Sequence, residues 1–164
     1  MRINLLLTIM VVILTGCATI PQTRVYREGE GTISESLCVL PVQDNTPERA
    51  VTQLALNTFH DDLLRSLEES GRFRNVQSSD IPENASAATV LQCRITQCDP
   101  SARRMSVVAE IRSGDSNQPF LRLVTHTELV SVAWPIDYIA VMERAAKAVA
   151  NDLTKSIVRV SEGK

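Results

Sequence analysis

The sequence predicts an α+β fold in which two amphipathic helices cover one face of a mixed or antiparallel sheet. Three observations predict it. A short apolar run is followed by a long helical stripe, three segments rich in Val, Leu, Ile and Thr then follow one another between turn residues, and a second helical stripe ends the chain. The expected element order is β-α-β-β-β-β-α.

The first strand and the first helix are expected between residues 36 and 71. Residues 36–42 form a nearly continuous apolar run, which is typical of a buried strand. Residues 46–48 (Thr-Pro-Glu) have the composition of a helix start, and Gly71 offers a left-handed stop. The apolar face of this helix comprises Val51, Ala55, Phe59, Leu63 and Leu67, widened by Leu54, Leu56 and Leu64.

The remaining elements are a short strand, a meander and a final helix. The short strand is expected at 73–76, and a loop follows from 78 to 88. Turn residues separate the segments 88–97, 105–112 and 120–132, which favours an antiparallel meander. The final helix is expected to open at Pro135 and Asp137, with an apolar face of Val141, Ala145, Ala148, Val149, Leu153, Ile157 and Val160.

Residues 1–16 have the layout of a secretory signal: a positive Arg2, a short apolar run and small residues before a cysteine. The apolar run is about half the 20 residues that a spanning helix needs. The four residues Leu14, Thr15, Gly16 and Cys17 resemble the lipobox of bacterial lipoproteins. That resemblance implies cleavage between Gly16 and Cys17, diacylglycerol on the Cys17 thiol and an N-acyl group, such as palmitate, on the new amino terminus.

The lipid anchor sets the expected location and domain organisation. Ala18, rather than Asp, follows the lipidated cysteine, which resembles the pattern sent to the outer membrane. We therefore expect the periplasmic face of the outer membrane, with retention at the inner membrane as the alternative. Residues 17–34 are expected to form a flexible tether, 35–161 a single periplasmic domain and 162–164 a disordered tail.

Charge and composition exclude several classes of function. Without Arg2, the 17 Lys and Arg residues become 16, against 19 Asp and Glu, so the mature net charge is −3. This balance and the lack of a long basic run argue against nucleic-acid binding. Aromatic residues make up only 4% of the chain, which disfavours a sugar-binding surface.

Three cysteines remain once Cys17 is lipidated. Cys93 and Cys98 are five extended residues apart, about 16 Å, whereas a disulfide needs Cα atoms within about 7 Å. They can pair only if the chain turns between them, so a bridge from Cys38 to one of them is the better option. Buried free thiols that act as small apolar residues are the favoured alternative.

No catalytic, metal-binding or cofactor-binding pattern is found in the sequence. The six glycines form no phosphate-binding loop, and no GxSxG elbow is present. The two histidines, His60 and His126, lack ligand spacing and are expected to be ordinary core or surface residues. We therefore expect no enzyme activity, no metal and no cofactor other than the covalent lipid on Cys17.

The chain also resembles a superfamily of small α/β domains. The carrying segments are 38–46 (CVLPVQDNT), 71–76 (GRFRNV) and 87–95 (AATVLQCRI). They are similar to the strand, helix-end and second-strand motifs of the curli-secretion lipoprotein, the penicillin-binding-protein activator lipoprotein and the TolB amino-terminal domain. The resemblance covers residues 36–132 and implies a domain that binds protein partners.

These features together predict a non-enzymatic, lipid-anchored lipoprotein. Its expected role is to bind and position or regulate another envelope protein, in cell-wall synthesis, secretion or transporter assembly. The alternative is a carrier of a small apolar ligand or lipid, which requires an enclosed apolar cavity between the final helix and the sheet.

Overall fold

A computed structural model describes residues 18–19, 21–49, 51–79, 89–99, 104–130 and 138–163. It contains two helices, α1 (Gln53–Glu69) and α2 (Tyr138–Ser161). The strands are β1 (Ala18–Thr19), β2 (Gln22–Arg27), β3 (Ser36–Val39), β4 (Gln43–Asp44), β5 (Asn75–Ser78), β6 (Thr89–Asp99), β7 (Arg104–Ser113) and β8 (Pro119–Val130).

The strands form a mixed sheet in the order β1-β8-β7-β6-β3-β5, in which β2 also pairs with β8 and β4 with β6. β6, β7 and β8 make the expected antiparallel meander, while β3 is parallel to both β5 and β6. The two helices contact each other, and buried residues from both join one core cluster with β6, β7 and β8. The predicted α+β class, with helices on one face of a mixed sheet, is confirmed.

Alternation along the meander explains why one face is covered. On β7, the apolar residues Met105, Val107, Ala109 and Ile111 are almost fully buried, whereas the intervening Glu110 is partly exposed. Successive strand side chains point to opposite faces, so this alternation turns every second residue toward the helices. The opposite face, which we call the outer face, carries Glu110 and other charged and polar side chains together with a small apolar cluster.

The start of α1 differs from the prediction. The helix begins at Gln53, and the side chain of its N-cap, Thr52, accepts a hydrogen bond from the Ala55 amide at 3.2 Å. The predicted start at residues 46–48 is wrong because the Asp44 carboxylate binds that segment as a loop. Asp44 accepts from the Thr46 amide and hydroxyl at 2.9 and 2.6 Å, and from the Val51 amide at 3.0 Å.

The carboxyl end of α1 agrees with the sequence. The helix ends at Glu69, and Gly71 adopts the expected left-handed conformation with φ of 65°. Its buried face includes Phe59, Leu63 and Leu67, but Leu54 is 63% exposed and does not belong to it. The predicted strand at 73–76 lies two residues further on, as β5.

The predicted flexible tether over 17–34 is wrong for much of its length. β1 and β2 both pair antiparallel with β8, so the sheet begins at Ala18 and the domain boundary at 35 is too late. β2 was not predicted from the sequence because most of its side chains are exposed, so its residues show no alternation of apolar and polar side chains. The tail prediction also fails for Glu162 and Gly163, whose amides bond to carbonyls of the last turn of α2.

Several predictions fall outside the described residues. These are the signal segment 1–16, the lipobox with Cys17, the opening of the last helix at Pro135 and Asp137, and Lys164. Neither helix, over the part of the chain that is described, is long and apolar enough to cross a membrane.

Candidate functional site

The three cysteines are free and are not brought together. Cys38 packs with Leu40 and Val90 in a small cluster, whereas Cys93 belongs to the main core on the opposite face of the sheet. Cys98 lies further along β6, with its Sγ 3.9 Å from the Sδ of Met142. This arrangement agrees with the favoured alternative of free thiols, and the less favoured bridge from Cys38 is not formed, because its side chain projects away from both candidates.

Burial makes all three thiols poor nucleophiles. It raises the pKa of Cys93 to about 12. Burial also raises the pKa of Cys38, against a smaller opposing effect of Arg112, and raises the pKa of Cys98 together with the nearby carboxylates of Asp44 and Asp99. Because the thiolate is the reactive species, these residues act at neutral pH as apolar packing groups.

The two histidines are bound to hydroxyl groups in different parts of the fold. On α1, His60 Nε2 lies 2.9 Å from Ser78 Oγ. On the outer face of the sheet, His126 Nδ1 lies 2.7 Å from Ser106 Oγ. Over the described ranges, no group of three or more His, Cys, Asp or Glu side chains is placed to hold a metal ion.

Ion pairs join the strands across the outer face. The Glu110 carboxylate accepts from Arg94 at 2.6 Å and from Arg122 at 3.2 Å. Arg122 also pairs with Glu28 at 3.1 Å, which links the end of β2 to the meander. Arg94 and Arg122 on this face are thus compensated by carboxylates within the chain.

A surface groove of about 480 Å³ lies between β2 and the end of α2. We call it the edge groove. Its wall on the sheet side is made by alternate residues of β2, and its wall on the helix side by the last turns of α2. The lining residues are Thr23, Val25, Arg27, Ser156, Arg159, Val160 and Gly163.

Polar contacts hold the two walls together at one end of the groove. The hydroxyl of Thr23 donates to the carboxylate of Asp152 on α2, and it lies 2.8 Å from the hydroxyl of Thr125 on β8. These contacts fix α2 over the edge of the sheet. The groove begins about one turn further along α2, at Ser156.

β2 forms an open edge of the sheet. It pairs with β8 on one side, and no strand in the described part of the chain pairs with its other side. The Glu28 amide bonds to the Phe120 carbonyl, so alternation turns the N–H and C=O groups of Thr23, Val25 and Arg27 away from β8. Val25 and Tyr26 are 43% and 46% exposed, so the edge also carries apolar surface.

Two uncompensated positive charges lie at this groove. The guanidinium groups of Arg27 and Arg159 form no ion pair or hydrogen bond within the described residues. Sequence reasoning missed this site, because the two residues are far apart in the chain and neither belongs to a basic run. The one local signal was the Thr-Arg-Val-Tyr-Arg segment, whose β-branched and aromatic residues favour a strand.

Fold comparison defines a class of bacterial proteins with this two-layer architecture. The chain is similar to the PelC dodecamer structure from Paraburkholderia phytofirmans, with a TM-score of 0.60 and 11% identity over 84% of this chain and 97% of that one. It is also similar to XCC0632 from Xanthomonas campestris, a DUF330 protein, with a TM-score of 0.55 and 15% identity over 84% and 95% of the two chains.

At these identities the likeness concerns the fold. The chain matches no protein-family model and no curated protein sequence. Similarity to PelC and to a DUF330 protein shows that the chain shares the fold of these two bacterial proteins. Membership of the superfamily that contains the curli-secretion lipoprotein stays a prediction, as does the lipobox at residues 14–17.

Proposed function

We propose that this chain is a lipid-anchored envelope lipoprotein that binds and positions another envelope protein without catalysing a reaction. The anchor is the lipid on Cys17, and the expected location is the periplasmic face of the outer membrane. The observation that carries the proposal is the open edge of β2. Its outward backbone groups and its exposed Val25 and Tyr26 make a surface suited to a protein partner.

The chemistry of the described residues supports a binding role over a catalytic one. The burial-raised thiol pKa values leave no activated nucleophile among Cys38, Cys93 and Cys98. His126 is exposed to solvent and bonds to the hydroxyl of Ser106. PelC, which has the same fold, was solved as a dodecamer, so a domain of this architecture can support protein–protein contacts.

The carrier alternative requires an enclosed apolar cavity between the final helix and the sheet. The edge groove lies in that region, but it is open to solvent and lined by two arginines. Nearer the start of α2, Ala145, Val149 and Leu153 are completely buried in the core. The described geometry therefore favours the binding role.

Cys17→Ser tests the anchor. In cells fed labelled palmitate, we expect the wild-type chain to carry label and to sediment with membranes, and the variant to lose both properties. Cys98→Ser is the matched control, because it removes a half-buried thiol and leaves the lipobox intact. A wild-type chain without label would refute lipidation.

Crosslinking in intact cells, followed by purification of the full chain, tests the partner. We expect one envelope protein to be recovered reproducibly with the wild-type chain and to be absent from cells that lack it. Recovery of no specific envelope protein would overturn the proposed function.

A further inference from the structure

We propose that the edge groove binds an extended segment with an acidic side chain, belonging to the envelope partner, which adds to the sheet as a strand beside β2. The inference rests on the proposed function, since it identifies where and how that partner binds. It is carried by three features that meet at this site: outward backbone groups, an apolar floor and two uncompensated arginines.

The backbone of β2 fits strand addition. Thr23, Val25 and Arg27 direct their N–H and C=O groups outward, and the same three residues line the groove with their side chains. A segment of about five residues would span these three positions at roughly 3.3 Å per residue. Every second side chain of the added strand would then enter the groove, as in other complexes formed by strand addition.

The floor of the groove accepts an apolar or aliphatic group. Val25 on β2 is 43% exposed, and it lines the groove together with Val160 on the last turn of α2. Covering these side chains removes apolar surface from water, which favours binding. The hydroxyl of Ser156 on the same wall offers a hydrogen bond near this floor.

Charge complementarity selects an acidic segment. Arg159 lies in the last turn of α2, where a cation also complements the helix carbonyls. Arg27 has no such role, and neither guanidinium is neutralised within the described residues, unlike Arg94 and Arg122 on the outer face. A carboxylate in the groove would accept charge-assisted hydrogen bonds from both.

A lipid headgroup would satisfy the arginines alone. The outward groups of β2 include carbonyl acceptors, which a phosphate cannot satisfy and another strand can. The outward backbone groups and the two arginines together therefore favour a peptide over a membrane lipid. A bound peptide and a bound lipid would give different crosslinking products.

A photoreactive benzoylphenylalanine in place of Ser156 provides the assay, in the full-length chain in intact cells. We expect irradiation to join this position to one envelope protein. Mass spectrometry should place the crosslink in an extended segment that contains Asp or Glu. The same photoreactive residue at Leu54, an exposed position on α1, should not capture that protein.

Three variants, each made in the chain with the photoreactive residue at position 156, separate the contribution of charge from that of backbone hydrogen bonding. Arg27→Glu combined with Arg159→Glu should lower the crosslink yield about tenfold, as expected for two exposed charge pairs turned repulsive. Val25→Pro should do the same, because it removes an outward N–H at an edge position that tolerates proline. Arg24→Glu is the matched control for Arg27→Glu: it reverses one charge on the same strand, but on the outer face, and should preserve the yield.

The outcomes distinguish the two proposals. If purification after general crosslinking recovers no specific protein, the proposed function fails. If it recovers a partner and the groove variants crosslink as well as wild type, only the groove is overturned as its site. A phospholipid adduct at position 156 would assign the arginines to lipid headgroups and would also overturn it. Thermal unfolding of each variant verifies that the fold is retained.

Discussion

Gly31→Ala tests whether the segment before β3 is part of the fold. A Cβ at position 31 would lie 2.4 Å from Cγ and 2.5 Å from Cδ1 of the Phe120 ring. Ordinary contacts begin near 3.4 Å, so the ring or the backbone must move by about 1 Å, and overpacking of this kind costs about 1–3 kcal/mol. Phe120 is only 7% exposed, which leaves its ring little room to rotate away.

Gly29→Ala is the matched control. A Cβ at position 29 would lie 3.7 Å from the Phe120 Cα, an ordinary van der Waals contact. Both substitutions reduce the entropy of the unfolded chain equally, a stabilising effect of about 0.4–1 kcal/mol. The difference between the two variants therefore isolates the clash with Phe120.

Urea unfolding followed by circular dichroism measures that difference. With a denaturant slope of about 2 kcal/mol/M, a 2 kcal/mol cost lowers the midpoint of Gly31→Ala by about 1 M relative to Gly29→Ala. Phe120→Leu in the Gly31→Ala background should recover part of the loss, because it removes the clashing ring atoms. Equal midpoints for the two glycine variants would refute the packing and would restore the flexible tether.

Three further predictions concern burial and charge. Leu63→Ala should destabilise the chain by about 2–5 kcal/mol and Leu54→Ala by less than about 0.5 kcal/mol. Similar urea midpoints for the two variants would contradict the assignment of Leu63 to the buried face of α1 and of Leu54 to the exposed one. The pKa of Asp44 is lower than its usual value: burial raises the pKa, but the hydrogen bonds from Thr46 and Val51 outweigh burial and lower it overall. Its stabilising effect is present above the unfolded-state pKa and is lost as pH falls through the folded-state pKa. Asp44→Asn should therefore cost more stability near neutral pH than below about pH 3, as measured by urea unfolding at the two pH values. An equal cost at the two pH values would refute the stabilising role of the ionised Asp44 carboxylate. Cys93 should react with maleimide at least about tenfold more slowly in the folded chain than in denaturant, and fast native labelling would contradict its burial.

Local patterns predicted the elements whose stability depends on one buried face. The meander was predictable because turn residues separate three segments rich in Val, Leu, Ile and Thr. The end of α1 was predictable because Gly71 follows the last apolar position of the stripe. In each case the decisive interaction lies within a few residues of the signal.

The start of α1 shows where local signals compete. Both Thr46 and Thr52 can cap a helix, and Pro47 favours the earlier start. The structure uses Thr52 because the Asp44 carboxylate binds the amides of Thr46 and Val51 and closes a loop between them. Hydrogen bonds between one side chain and amides up to seven residues away produce no periodic pattern in the sequence.

β2 and the edge groove could not be predicted, because both depend on distant contacts. β2 gains its hydrogen bonds from β8, about one hundred residues away, and buries little side-chain surface that a pattern could reveal. The groove joins this strand to the end of α2, still further along the chain. Arg27 and Arg159 each look like ordinary surface charges until the fold places them together.

The early start of the sheet changes what the proposed anchor would do. An extended tether over 17–34 would let the domain stand tens of ångströms from the bilayer. Because β1 begins at Ala18, the residue after Cys17, the first sheet edge would instead start at the lipid itself. Arg27 is ten residues from Cys17, so the edge groove would lie within about 35 Å of the anchor. A partner strand would then bind within that distance of the membrane, which a membrane-attached envelope protein can reach.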